Sequence, residues 1–179
     1  VPIPIADKIL EAEIWRAQVG RCQLLLLNLC EHQNDPDTTR VFRLYGGDKS
    51  TRLTQELALG LGGYRALRVL GIRPGVLHMN EGHCAFATLE AVADRMERTG
   101  LSFREAADDV AESSVFTTHT PVAAGHDYFE PALALHYLRP LQARLGLSDH
   151  ELLALGRVNP NNPHEEFCMT VLALKMSRR

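Results

Sequence analysis

Two short stretches concentrate the groups that can do chemistry. Asn80-Glu81-Gly82-His83 sets an amide, a carboxylate and an imidazole side by side. Thr118-His119-Thr120-Pro121-Val122-Ala123-Ala124-Gly125-His126-Asp127 adds hydroxyls, two imidazoles and a second carboxylate. These are hydrogen-bonding types, suited to gripping a hydroxyl-rich ligand. Gly82 and Gly125 let backbone approach such a ligand closely, and Pro121 stiffens the second stretch. A competing reading is metal ligation by His78, His83, His119 and His126 with Glu81 or Asp127. Against it, His78 and His83 lie on either side of an element boundary, unlike the i, i+4 histidine pair of a helical zinc motif. Taken singly, His83 is as well suited to capping its own helix.

These stretches need elements to bring them together. Val76-Leu77-His78-Met79-Asn80 reads as a strand, followed by a helix from 82 to about 99, a second helix with a Ser102/Glu105 capping box, and a strand over 114–118. A crossover of that length makes the two strands parallel. Both polar stretches follow directly on carboxyl ends of strands, where ligands bind in open α/β sheets. The predicted fold is α/β, a partial Rossmann-like parallel sheet with flanking helices.

Upstream, residues 11–30 read as a hairpin turning at Gly20, with the second strand the more buried and Leu24 to Leu27 in the core. Residues 31–50 read as a loop containing the short apolar run Val41 to Tyr45. A helix over 51–70 carries Leu53, Leu57, Leu61, Tyr64 and Leu67 on one face, yet includes Gly60, Gly62 and Gly63. Glycine costs a helix about 1 kcal/mol relative to alanine, so something packs close to that backbone. Because these glycines lie inside a helix, they are not a dinucleotide fingerprint. Downstream, helices are predicted at about 131–145 and, after a Ser148/Glu151 capping box, 149–156. A last helix is predicted to open at Asn162-Pro163 and to run to Arg179.

The chain has 179 residues, 45% hydrophobic and 23% charged, enough to bury a core. Its net charge is -3 with basic residues dispersed, which argues against nucleic acid as a partner. It contains no apolar run long enough to span a bilayer and no signal-peptide pattern, so a cytoplasmic protein without membrane association is expected. Cys22, Cys30, Cys84 and Cys168 have no C-x-x-C spacing and read as reduced packing residues. Ser113-Ser114 lacks the G-x-S-x-G elbow of a serine nucleophile. The first residue is Val1 and the final helical pattern runs to the end, so the sequence reads as a piece of a longer chain.

Tyr45-Gly46-Gly47-Asp48, Arg52-Leu53-Thr54-Gln55-Glu56, His78-Met79-Asn80-Glu81-Gly82-His83 and Val115-Phe116-Thr117-Thr118-His119-Thr120-Pro121-Val122-Ala123-Ala124-Gly125-His126-Asp127 together resemble the α-glucan (glycogen or maltodextrin) phosphorylase family in its shorter bacterial branch. The resemblance implies a two-lobed glycosyltransferase of the GT-B type, with residues 1–179 part of the N-terminal, glucan-side lobe and the C-terminal lobe absent. It implies phosphorolysis: inorganic phosphate cleaves a terminal α-1,4 linkage of the α-glucan and releases glucose 1-phosphate with retention. It also implies pyridoxal phosphate as cofactor in the parent enzyme, which would be homo-oligomeric. None of Lys8, Lys49 or Lys175 stands in the family's cofactor-lysine context, so these residues alone are expected to lack cofactor and activity.

Carried over by position, His119 matches the histidine whose main-chain carbonyl approaches the glucosyl unit as positive charge develops. Asn80, Glu81, His83, Thr118 and Thr120 match the lining of the same pocket, and Asp48 matches a carboxylate of the gating loop. The alternatives are half of a nucleotide-sugar glycosyltransferase of the same architecture, or a non-catalytic glucan-binding remnant.

Overall fold

The computed structural model describes residues 1–29, 47–119, 122 and 125–178. Three strands open the chain: β1 (Pro2–Ile5), β2 (Lys8–Val19) and β3 (Cys22–Leu29) form an antiparallel sheet in sequence order. Val19 pairs with Cys22, leaving Gly20 and Arg21 as a two-residue turn with Gly20 at φ +59°, a conformation that costs glycine nothing. Ile3, Ile5, Leu10, Ala12 and Leu29 face the core.

The predicted hairpin is present, but its second strand is not the buried one. Leu24 and Leu26 are exposed, paired with Ala17 and Trp15, while Leu25 and Leu27 on the other face are half-buried; Leu25, Leu26 and Leu27 all reach the rim of one cavity. Strand alternation puts neighbouring leucines on opposite faces, and among the described residues nothing covers the outer one. Cys22 is likewise exposed rather than packed, Cys84 is half-buried and Cys168 buried; all three are free thiols. Cys30 and the run Val41 to Tyr45 lie outside the described residues.

The helical span predicted over 51–70 is α1 (Lys49–Leu57), a π-helical turn (Ala58–Gly62) and α2 (Gly63–Val69). Close packing at its glycines is visible. A Cβ on Gly60 would meet the Phe86 Cβ at 2.8 Å and the Ala87 amide at 2.9 Å, and one on Gly62 would meet Ile3 Cδ1 at 2.5 Å. The widened turn lets backbone pass against the start of the next core helix.

After this come β4 (Leu77–Asn80), a 3₁₀ turn (Gly82–Cys84), α3 (Phe86–Thr99), α4 (Phe103–Glu112) and β5 (Ser114–Thr117). Strands β4 and β5 are parallel, with Leu77 opposite Ser114 and Asn80 opposite Thr117. The Ser102/Glu105 capping box starts α4 as predicted, and Gly100 at φ +71° ends α3. The fold is thus mixed α/β with a small parallel sheet whose carboxyl ends share one side.

The remainder is β6 (Tyr128–Phe129), α5 (Pro131–Leu145), α6 (Asp149–Leu155), β7 (Phe167–Cys168) and α7 (Met169–Lys175). The helix predicted from Asn162-Pro163 to Arg179 is corrected to the short α7. Asn159 and Asn162 turn their side-chain oxygens onto the Asn161 and His164 amides, a local alternative to helix. The Glu165 carboxylate takes the Val158 and Asn159 amides, and Phe167–Cys168 then pairs antiparallel with β6. A single core unites the parts, with Phe86, Phe129, Phe167, Leu53, Leu57, Leu61 and Met79 fully buried. No helix among the described residues is long and apolar enough to cross a membrane.

Candidate functional site

The parallel register sets the geometry. Because Asn80 stands opposite Thr117, the residues after each strand emerge side by side, and the Glu81 amide continues the ladder to the Thr117 carbonyl at 2.8 Å. Glu81 then departs from ordinary geometry, with φ 64° and ψ 174°, a region populated almost entirely by glycine. Its side chain accounts for this conformation. The carboxylate accepts the His119 amide at 2.5 Å through one oxygen and the Thr118 hydroxyl at 3.0 Å through the other.

Asn80 holds the other end of the same residue, its Oδ1 lying 3.1 Å from His119 Nε2. His119 is therefore fixed at its main-chain nitrogen and at its ring. His78 Nε2 pairs with the Thr117 hydroxyl at 2.8 Å, and His126 Nδ1 with the Thr170 hydroxyl at 2.8 Å. Of the predicted site residues, Asn80, Glu81, Thr118 and His119 form one hydrogen-bonded cluster, which we call the latch. Thr120 lies outside the described residues.

Asp48 serves as N-cap of α1. Its carboxylate accepts the Thr51 amide at 2.9 Å and the Ser50 hydroxyl at 2.7 Å, which hold it down to about 2. Among the described residues its side-chain hydrogen bonds stay within that first turn.

His83 belongs to a second cluster, which the sequence reading did not assemble. Arg52 and Glu56 reach it from α1, and Asp127 from the segment before β6. Arg52 Nη2 lies 2.7 Å from His83 Nδ1 and 3.1 Å from Asp127 Oδ2, while its Nε lies 3.2 Å from Glu56 Oε1. Glu56 is 1% exposed, against 24% for Asp127, 32% for Arg52 and 41% for His83. Neither Glu56 oxygen has a hydrogen bond of good geometry among the described residues, whereas buried Glu90 takes both Arg65 and Arg144.

Burial pushes the Glu56 carboxyl up to about 8, with the adjacent Asp127 carboxylate adding to the rise. The Asp127 carboxylate at 3.3 Å and then the Glu56 carboxyl at 3.7 Å raise His83 to about 9. Burial pushes Asp127 upward, but hydrogen bonds from His83 and Arg52 outweigh it and hold the carboxyl well below its usual range. Glu56, His83 and Asp127 come within metal-binding reach of one another, yet the cation already seated among them is Arg52. The sequence did hold a signal: Glu56 interrupts the buried stripe between Leu53 and Leu57, where a carboxylate is expensive.

Arg52 and His83 stand with Gln55 and His78 beside a cavity of about 610 Å³ whose other walls include Leu25, Leu27, Leu59 and Tyr64. Lys49 is bonded to the Tyr128 carbonyl, and Lys175 donates at 2.6 Å to the carbonyls of both Ala154 and Arg157, closing α6. Lys8 begins β2.

Fold and site thus define an α/β chain with a polar latch at parallel strand ends. Comparison with known proteins gives the family. The chain is 42% identical to the maltodextrin phosphorylase of Thermococcus litoralis over 178 residues, which are 99% of this chain and 20% of that protein. It is 38% identical to the glycogen phosphorylase of Mycobacterium tuberculosis over 192 aligned residues, 100% of this chain and 22% of the relative. The glycogen phosphorylase of Aquifex aeolicus is 31% identical over 166 residues, 92% of this chain and 24% of the relative. No family model matches. Over nearly its whole length the chain is thus similar to glycogen and maltodextrin phosphorylases, and it spans about a fifth of the length of these relatives.

Proposed function

We propose that this chain forms part of the N-terminal, glucan-side lobe of an α-1,4-glucan phosphorylase, a cytoplasmic glycosyltransferase of the two-lobed GT-B type. The whole enzyme would cleave terminal α-1,4 linkages of glycogen or maltodextrin with inorganic phosphate, releasing glucose 1-phosphate with retention. The observation that carries the reading is the latch: Glu81 accepts a Gly-like backbone conformation and uses its carboxylate to fix the Thr118-His119 main chain.

In this reading the His119 carbonyl faces the glucosyl ring as positive charge develops, and holding it beforehand removes reorganisation from the reaction step. Asn80 fixes the orientation of the His119 ring. The neighbouring hydroxyl and amide groups offer partners to sugar hydroxyls. In this reading pyridoxal phosphate, its lysine and the phosphate-gripping groups belong to the other lobe, in keeping with Lys49 and Lys175 being bonded to main-chain carbonyls. The 179 residues alone are then inactive.

The test is release of glucose 1-phosphate from maltoheptaose by the enzyme containing this sequence, with and without phosphate, before and after removal of pyridoxal phosphate. Release that requires both supports the reading. No release under any condition overturns it in favour of a nucleotide-sugar enzyme or a non-catalytic glucan binder.

A further inference from the structure

Three groups converge on one nitrogen of His83. Its Nδ1 lies 2.7 Å from Arg52 Nη2, 3.3 Å from Asp127 Oδ2 and 3.7 Å from Glu56 Oε1. Nε2, at the other side of the ring, has no hydrogen-bond partner among the described residues, and the ring lines the cavity. Nδ1 has one site to offer, so it either accepts from Arg52 or donates to Asp127.

If it accepts, the ring is neutral and its single proton sits on Nε2. If it donates, the neighbouring Asp127 and Glu56 carboxyl groups, which raise the ring to about 9, keep it an imidazolium at neutral pH, and Nε2 again carries a proton. Arg52, Glu56 and Asp127 are the titratable or charged groups acting on the ring, two from α1 and one from the segment before β6. The 2.7 Å separation from Arg52 Nη2, a group that only donates, is an acceptor's distance and favours the first arrangement; a neutral ring protonated on Nδ1, which would leave Nε2 bare, would set two N–H groups against each other there.

We propose that Arg52, Glu56 and Asp127 are positioning residues that clamp Nδ1 of His83 so that its Nε2–H is a fixed donor to a hydroxyl oxygen of the bound glucosyl unit. The sugar as acceptor rests on the phosphorylase reading; the clamp itself does not. The assignment excludes His83 as a general base or a metal ligand through Nε2. It also explains why a carboxylate as buried as Glu56 is kept: with Asp127 it gives the imidazole ring two carboxyl groups on the side away from Nε2.

The clamp is read directly by long-range ¹H–¹⁵N spectra of the ¹⁵N-histidine-labelled 179-residue chain. At pH 7 the His83 Nε2 shift should be that of a protonated ring nitrogen. Asp127→Asn should lower the His83 titration midpoint, and Asp127→Glu should restore it. In the enzyme containing this chain, Asp127→Asn should raise the KM for maltoheptaose about tenfold, the worth of one hydrogen bond to a charged group, with kcat within about threefold. Asp127→Glu should recover the KM.

An unprotonated Nε2 in the unmodified chain overturns the clamp, and that result needs no variant to fold. A protonated Nε2 with an unchanged KM in Asp127→Asn overturns its role toward substrate. If the unmodified enzyme releases no glucose 1-phosphate, the phosphorylase reading fails, while the spectra still decide the clamp.

Discussion

The latch and the cluster around His83 solve opposite problems with similar side chains. In the latch, Glu81 is close to solvent and well bonded, and the cost is stored in its own backbone at φ 64°. In the quartet around His83, Glu56 keeps ordinary helical geometry and the cost is electrostatic, a carboxyl 1% exposed and without a good hydrogen bond among the described residues. Breaking the latch should therefore change the geometry of the site with little change in stability, whereas breaking the quartet should change stability first.

The largest stability effect is expected for Asp127→Ala. It removes the carboxylate that the Arg52 guanidinium and the His83 ring share above Glu56, and the loss should be about 2–3 kcal/mol by urea denaturation, at the low end for a broken buried pair because Asp127 is 24% exposed. Glu81→Ala should cost less than half as much. An equal loss in both would erase the distinction between the clusters.

The pH dependence sharpens it further. Glu56, raised from 4.5 to about 8, stabilises the fold fully below 4.5 and loses that contribution as pH rises toward 8. His83, raised from 6.5 to about 9, contributes fully below 6.5 and loses it through 9, so the two decline in the same direction. Asp127 is depressed from 3.8, and its contribution is lost only as pH falls below that value. Stability should thus fall from pH 5 to 8, at no more than about 1.4 kcal/mol per pH unit per group. Glu56→Gln should remove the decline between pH 5 and 6.5 and leave the part due to His83. A flat unmodified profile over that range would contradict the raised carboxyl.

The stored strain has its own signature. Glu81→Gly should be more stable than Glu81→Ala by about 1 kcal/mol, because only glycine adopts that backbone freely. Equal melting temperatures for the two variants would deny the strain.

Sequence made the latch legible and the quartet opaque for a physical reason. The order strand, two helices, strand forces Asn80 and Thr117 into parallel neighbours, so clusters after both strands had to meet. The quartet instead draws on α1, the 3₁₀ turn and the start of β6, whose approach no local pattern specifies. The capping boxes at Ser102 and Ser148 and the tight packing at Gly60 were readable because each depends on neighbouring backbone or on a single missing Cβ. The false helix at Asn162-Pro163 shows the limit, since asparagine side chains and Glu165 organise that segment through turns.

The run Leu24 to Leu27 misled in another way: apolarity licenses burial, but only a covering element produces it. The smallest predicted effect follows from that. Leu26→Thr, on the open face beside Trp15, should shift the chain's stability by less than about 0.5 kcal/mol. A loss of several times that would mean the face is covered.

On the proposed function, the Glu81 carboxylate holds His119 in place for the sugar. The most direct test is kcat for maltoheptaose phosphorolysis by the containing enzyme with Glu81→Gln, which preserves shape but cannot accept the His119 amide as a charged group. The account predicts a fall of about a hundredfold in kcat with the protein folded, consistent with losing two charge-assisted contacts. An unchanged kcat would contradict it.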